Sequence, residues 1–126
     1  IRSSLYRNFA DYIPYSLNHE EMEKAIKYFI GTYDFTSFMV SNSNANTTIR
    51  TVNSISLCKK GDLIIFTIEG NGFLHNMVRI MVGTIIEVGR GKIKSNDIPH
   101  IISLKNRKAA GHTAAPQGLY LEKVYY

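Results

Sequence analysis

The sequence has few of the residues that mark secreted, membrane-bound or metal-binding proteins. It contains one cysteine, Cys58, and no tryptophan among 126 residues. A lone cysteine excludes a disulfide within the chain and is typical of a reducing compartment. No apolar run approaches the roughly 18 residues of a membrane span, the first residues lack a secretory signal, and His19 and His100 are isolated without metal-ligand spacing. We therefore expect a cytoplasmic protein without a metal site or a membrane partner.

Acidic residues are scarce in the second part of the sequence. Residues 1–78 carry seven basic and seven acidic side chains, whereas residues 79–126 carry eight basic and three acidic ones. Six of those eight basic residues lie between residues 89 and 108. This bias favours a polyanionic partner, because each phosphate that a protein neutralises releases condensed counterions. A solvated basic surface without a partner is the alternative.

The alternation of apolar and polar residues predicts an α+β domain, an antiparallel sheet covered by helices. A helix over residues 77–88 is nearly all apolar, which is typical of a helix at the centre of a domain. The first part of the chain is predicted to contain an extended approach over 1–18 and a helix from Asn18 or His19 to about Gly31. A strand over 48–57 with a bulge, a hairpin turn at 59–62 and a strand over 63–69 follow. After the apolar helix, the sequence predicts a short helix capped by Ser95 or Asn96, with Pro99 in its first turns and its end near Leu104, and a last strand over 119–126.

Arg79 interrupts the apolar helix. A buried arginine without a partner costs roughly 3–5 kcal/mol. Its neighbours one turn away are not expected to pair it, so the predicted partner is an acid elsewhere in the domain or in a segment outside this sequence. Gly83 leaves room beside the guanidinium for another stretch of chain to approach. The alternative is an exposed stripe on which Arg79 meets solvent.

Four blocks of the sequence are specific in combination. They are Asp-Phe-Thr-Ser-Phe (34–38), Gly-Asn-Gly-Phe-Leu-His-Asn-Met-Val-Arg (70–79), Val-Gly-Thr-Ile-Ile-Glu-Val-Gly-Arg-Gly (82–91) and Ala-Gly-His-Thr-Ala-Ala-Pro-Gln-Gly-Leu-Tyr-Leu (110–121). Their order and spacing resemble those of the TruA-type tRNA pseudouridine synthases, over essentially the whole chain. The resemblance implies that residues 1–126 are one domain, the C-terminal half of a pseudouridine synthase fold.

The resemblance also implies an activity. Family members isomerise uridine to pseudouridine, here in the anticodon stem-loop of tRNA, without cofactor or metal and commonly as homodimers. The nucleophilic aspartate comes from the N-terminal half, which lies outside this sequence, so the chain alone is expected to be inactive. None of Asp11, Asp34, Asp62 and Asp97 stands in the nucleophile's sequence context. The alternatives are a non-catalytic module that binds structured RNA and a protein-interaction domain without RNA.

By the resemblance, Arg79 pairs with the missing aspartate. A fixed guanidinium would keep that carboxylate ionised and oriented. Phe73 is expected to wall the base pocket or the core beneath it, and Leu119 resembles the apolar residue that packs near the uracil. His75 lies one turn before Arg79 and is expected either to donate to phosphate or base or to cap the helix end.

Further residues are expected to contact the RNA backbone. Arg50 matches a basic residue of the family's strand and is interpreted as a phosphate contact. The charge bias adds three more candidates: Arg90, Lys92 and Lys94. Asn46 stands where family members often carry a lysine or arginine, and His112 stands where proline is common.

Overall fold

The computed structural model describes residues 5–12, 16–39, 47–74, 76–114 and 119–121. It confirms the α+β prediction. Five antiparallel strands form one sheet in the order β2-β3-β4-β1-β5. The strands are β1 (Leu5–Tyr12), β2 (Gly31–Asp34), β3 (Ile49–Lys60), β4 (Leu63–Gly70) and β5 (Leu119–Leu121).

Three α-helices and three short 3-10 turns complete the described part. The helices are α1 (His19–Lys27), α2 (Met77–Gly89) and α3 (Ile98–Leu104), and the 3-10 turns span Thr36–Phe38, Ser95–Asp97 and Arg107–Ala109. Among the described residues, no helix has the length and apolar character needed to cross a membrane.

Helix α1 begins where the sequence predicts and ends earlier. The side chain of Asn18 accepts a hydrogen bond from the backbone N–H of Glu21, which satisfies one of the free donors of the first turn. The helix ends at Lys27, because Tyr28 already bonds back to Ala25 in a tighter turn. The predicted end at Gly31 is wrong: Gly31, with φ of +132°, begins β2 instead.

The central hairpin follows the predicted pattern. Strands β3 and β4 are joined by a two-residue turn in which Gly61 has φ of +60°, a conformation that glycine adopts without steric cost. The register between the two strands shifts between Val52 and Ser54, which confirms the predicted bulge. Residues 64, 66 and 68 of β4 are buried and alternate with half-buried ones, so one face of the strand lies in the core.

Strand β1 has a larger role than its sequence indicates. It lies between β4 and β5, and Phe9 stands opposite Phe66 of β4. The sequence predicts only an extended approach over this segment, because pairing with a strand some sixty residues away leaves no local signal. Both phenylalanines are buried in the core formed by the sheet and the helices.

Helix α2 is the central helix that the sequence predicts. Among its residues only Arg79 and Glu87 are not buried. It packs against α1, whose Met22 side chain closes over Gly89 so tightly that an added Cβ would come 2.7 Å from its sulfur. Burial on all sides holds α2 in a fixed position, which matters for the arginine in its first turn.

The last elements differ in detail from the prediction. Ser95 does not cap a helix; its hydroxyl donates to the Glu21 carboxylate at 2.9 Å, and α3 begins at Ile98 after a 3-10 turn. Pro99 lies in the first turn of α3, as predicted. Strand β5 confirms the start of the closing strand, and residues 122–126 lie outside the described residues.

Candidate functional site

The loop between β4 and α2 is fastened to the sheet. The backbone N–H of Asn71 donates to the Thr51 carbonyl at 3.1 Å, and its side-chain oxygen accepts from the Thr51 N–H at 3.0 Å. A Cβ added at Gly70 would come 2.6 Å from the same carbonyl, so only glycine allows this approach. Buried Leu74 anchors the far side of the loop. The residues that precede α2 therefore have little freedom.

Helix α2 begins at an asparagine with an uncommon backbone conformation. Asn76 has φ of +62° and ψ of 9°, in the left-handed region that asparagine tolerates better than most residues. An asparagine in this position commonly uses its side chain to cap the helix. Here the side chain makes no such bond.

The Asn76 side chain instead binds Arg79. Its Oδ1 accepts from Arg79 Nη1 at 3.0 Å, and the Ala114 carbonyl accepts from Arg79 Nε at 2.8 Å. The Ala114 N–H in turn donates to the Arg79 carbonyl at 3.0 Å. The expectation that helix neighbours leave Arg79 unpaired is therefore wrong for Asn76, because its left-handed backbone turns the amide toward the next turn of the helix.

The second partner of Arg79 belongs to a segment that crosses α2, residues 110–114, called here the strap. A Cβ at Gly83 would collide with the His112 carbonyl oxygen, so the strap crosses the helix where the sequence predicts an approaching chain. The Gly111 N–H donates to Thr84 Oγ1 at 2.9 Å. Arg107 binds the Gly111 carbonyl and Thr113 Oγ1, at 2.8 and 3.0 Å. The Ala114 carbonyl is thus held in place from several sides.

No carboxylate pairs with Arg79 among the described residues. The ion pairs within 4.0 Å in this part of the chain involve other cations. Arg79 is half-buried. It therefore neither lies on a fully exposed stripe of the helix nor forms an ion pair within the described part of the domain. A guanidinium has five N–H donors, and both hydrogens on Nη2 lack a partner in the described part of the chain. The side chain is oriented and can still receive an anion.

Phe73 and Arg7 lie beside this loop. Phe73 is half-buried, with its ring against Gly70, where an added Cβ would come 3.3 Å from it. The Arg7 guanidinium lies 5.7 Å from the ring centroid, within cation–π range. The sequence does not single out Arg7. Its signal is a charged residue two positions before Phe9, on the same face of a strand, and it is informative only once β1 is known to be an interior strand of the sheet.

Arg50 lies on the other side of the same loop. Its Nη1 donates to the carbonyls of Thr47 and Ile49, at 2.7 and 2.8 Å. Its Nε would be 3.7 Å from a Cβ placed on Gly72. The predicted phosphate contact is thus near the loop and partly engaged by its own backbone. His75, Asn46 and the side chain of Leu119 lie outside what the structure describes, although the Leu119 backbone pairs with Phe9 in the sheet.

The three other predicted RNA contacts lie at the opposite end of α2. Arg90 follows the helix, eleven residues after Arg79, which at 1.5 Å per residue is about 16 Å along the axis. Arg90 and Lys94 line an open depression of about 720 Å3 between α1 and the segment after α2. Arg90 is ion-paired with Glu87 at 3.2 Å, whereas Lys92 and Lys94 are exposed. The structure therefore separates the predicted residues into two groups.

Glu21, the acid among the residues that line this depression, accepts hydrogen bonds from Lys24 and Ser95. A hydrogen bond from Lys24, and then one from the Ser95 hydroxyl, hold the pKa of Glu21 below its usual value. Glu87 also lies 3.6 Å from Nδ1 of His112, so the strap and the helix approach each other on the exposed side as well. Among the described residues, no three histidine, cysteine, aspartate or glutamate side chains are grouped so as to hold a metal ion.

Comparison with known proteins agrees with the family resemblance of the sequence. A family described as tRNA pseudouridine synthase matches residues 25–126. A tRNA pseudouridine synthase A of Acetivibrio thermocellus is 48% identical over 124 residues, which cover 98% of this chain and 51% of that protein. Proteins of the same name from Thermoanaerobacter sp. and Caldicellulosiruptor bescii are 52% identical over 120 residues and 50% identical over 125, covering 95% and 99% of this chain and 49% and 51% of theirs.

The chain belongs to the tRNA pseudouridine synthase family, because the family match covers most of it and three relatives are about half identical over nearly all of it. It spans about half the length of the curated relatives that it matches.

Proposed function

We propose that this chain is the C-terminal half of a tRNA pseudouridine synthase, an isomerase that converts uridine to pseudouridine in the anticodon stem-loop of tRNA. The family match supports the reaction class. The relatives of matching name support tRNA as the substrate. The N-terminal half would supply the nucleophilic aspartate.

The observation that carries the proposal is the state of Arg79. It is half-buried and held by two hydrogen bonds to neutral acceptors, and it meets no carboxylate among the described residues. Leaving such a cation without an anion costs free energy. A carboxylate from the other half would remove that cost, and the guanidinium would keep it ionised and oriented for attack.

The chemistry gives the chain a supporting role. The bond between the ribose C1′ and uracil N1 breaks, the base rotates, and C5 forms the new bond to C1′ while its proton is lost and N1 regains one. The target nucleotide must leave its stack for this to happen. Half-buried Phe73 would offer an apolar wall for the base, and Arg79 would offer the anion site.

The RNA body would be bound by basic residues other than Arg79. Lys92 and Lys94 are exposed, Lys94 at the open depression, and Arg50 lies at the loop before α2. Phosphate contacts of this kind position an RNA without reading its sequence. The proposal also includes a cytoplasmic location and a homodimer as the intact form. Light scattering of the intact protein tests the dimer.

The proposal is tested by comparing this chain with the intact protein in a tritium-release assay on uridine-labelled tRNA. The intact protein is expected to form pseudouridine, and the chain alone is expected to show none above background. Turnover by the chain alone, after a contaminating host enzyme is excluded, would contradict the division of roles. An intact protein that binds tRNA and never turns over would favour the non-catalytic RNA-binding module.

A further inference from the structure

The first turn of α2 makes an unusual use of its first asparagine. Asn76 adopts a left-handed backbone, contributes no side-chain cap, and places its Oδ1 3.0 Å from Arg79 Nη1. Its own backbone carbonyl still accepts the Ile80 N–H at 3.0 Å, so the helix begins normally. The amide is therefore not needed to start the helix, and its contact is with the arginine.

We propose that Asn76 is a positioning residue for Arg79, which it holds together with the Ala114 carbonyl so that the remaining guanidinium donors face an incoming carboxylate. The catalytic consequence rests on the function proposed above. The amide is neutral, so it orients the guanidinium without neutralising it. An acid at this position would compete with the nucleophile for the same cation.

The geometry explains why two acceptors are needed. The arginine side chain has several rotatable bonds, and one hydrogen bond leaves the guanidinium plane free to turn. Bonds at both Nε and Nη1 fix that plane, because they hold two separate points of a rigid group. The donors left over are those on Nη2 and one on Nη1, an edge that suits two-point binding of a carboxylate.

The test uses the intact protein with Asn76→Gly. Glycine adopts the left-handed backbone freely, so the variant removes the side-chain contact without straining the chain. We expect kcat for pseudouridine formation to fall roughly tenfold to a hundredfold, the range for losing a charge-assisted hydrogen bond, with KM for tRNA unchanged. Asn76→Gly combined with Arg79→Lys should be no slower than Arg79→Lys alone, because lysine has already lost the contact through which Asn76 acts.

A second readout is independent of turnover. In intact protein labelled with 15N-arginine, the Nε–H signal of Arg79 is identified by its loss in Arg79→Lys. It should exchange faster with water in Asn76→Gly and stay protected in Asn76→Asp, which keeps an acceptor and tolerates the same backbone. Asn53→Gly, at an exposed position of β3, is the control for an added glycine and should match the unmodified protein.

The outcomes separate the two proposals. An intact protein without activity would contradict the proposed function. The rate at which the Arg79 Nε–H exchanges with water would still test the role of Asn76. Unchanged exchange in Asn76→Gly overturns the positioning role. An additive loss in the double variant overturns it as well, since it would mean that Asn76 contributes to the fold and not through Arg79.

Discussion

The two ends of α2 carry the same kind of charge in different settings. At its N-terminal end, Arg79 is half-buried and fixed by Asn76 and the strap. At its C-terminal end, Arg90 pairs with Glu87 and Lys92 and Lys94 extend into solvent. A fixed charge can orient a reacting group, whereas mobile surface charges attract a polyanion without orienting it. The first end suits catalytic support and the second suits RNA binding.

Among the changes that keep the charge, the largest effect is expected from Arg79→Lys in the intact protein. Lysine keeps the charge and loses the two-point fork, so neither the Asn76 and Ala114 contacts nor a paired carboxylate can be reproduced. A misplacement of about 1 Å costs on the order of a hundredfold in rate. Single-turnover rates on tRNA should therefore fall by at least about that factor. A rate near that of the unmodified enzyme would show that charge alone is sufficient at this end of the helix.

Gly83→Ala should disturb the N-terminal end of α2 by displacing the strap. The added methyl group collides with the His112 carbonyl, so the strap must move and the Ala114 acceptor moves with it. Overpacking of this kind costs about 1–3 kcal/mol of unfolding free energy. Tm and turnover should both fall. Gly72→Ala is the matched control for Tm, since its added Cβ meets only ordinary contacts at 3.7 Å, and an equal fall in Tm there would argue against the strap.

Neutralising the other end should change binding. Replacing Arg90, Lys92 and Lys94 with glutamine is expected to weaken tRNA binding and to reduce the steepness of its salt dependence. If the unmodified protein makes about four phosphate contacts, the slope of log K against log salt is near −3 to −4, and removing three contacts leaves it near −1. Filter binding at several salt concentrations measures this.

The control for that experiment lies at the β3–β4 hairpin. Lys59 and Lys60 are exposed and belong to neither end of α2. Their replacement with glutamine should leave the slope as it was. A slope that changes equally in both variants would mean that the RNA senses net charge and not the depression beside α2.

The smallest effect concerns acid stability. Burial alone would raise the pKa of Asp34, but hydrogen bonds from Thr36 and Thr48, with Lys105 nearby, lower it below its usual value of 3.8. A lowered pKa in the folded state means that the carboxylate stabilises the fold above its unfolded-state pKa and loses that contribution as pH falls through the folded one. Asp34→Asn, which keeps the acceptor, should lower Tm at neutral pH, and the gap should close below about pH 4.

The check is a series of thermal melts between neutral and acidic pH. Asp62→Asn, in the exposed hairpin turn, should run parallel to the unmodified protein throughout. If the difference in Tm between Asp34→Asn and the unmodified protein persisted in acid, the charge of Asp34 would not be what stabilises the segment from Asp34 to Thr36.

The sequence predicts the elements with local signals. The Asn18 cap, the bulge in β3, the two-residue hairpin turn and the buried helix α2 all follow from periodicity and turn residues. The sequence predicts neither the short strand β2 nor the interior place of β1 in the sheet, because each depends on pairing with a strand that is not adjacent along the chain.

The same distinction between residues with and without a local sequence signal applies to the candidate site. Arg79 stands out because it interrupts an apolar run, and Gly83 because it leaves space beside the helix. Asn76 does not stand out, since its role depends on a left-handed backbone that the sequence does not display. The Ala114 carbonyl has no side-chain signal at all, because any residue there would supply the same oxygen.

The most direct test measures single-turnover rate and tRNA affinity together in two variants of the intact protein. Arg79→Ala should abolish pseudouridine formation and leave the Kd for tRNA nearly unchanged, because the proposal assigns the phosphate contacts to other residues. The triple variant of Arg90, Lys92 and Lys94 should weaken binding and leave the rate at saturating tRNA intact. Near-normal turnover in Arg79→Ala would contradict the role assigned to the fixed arginine.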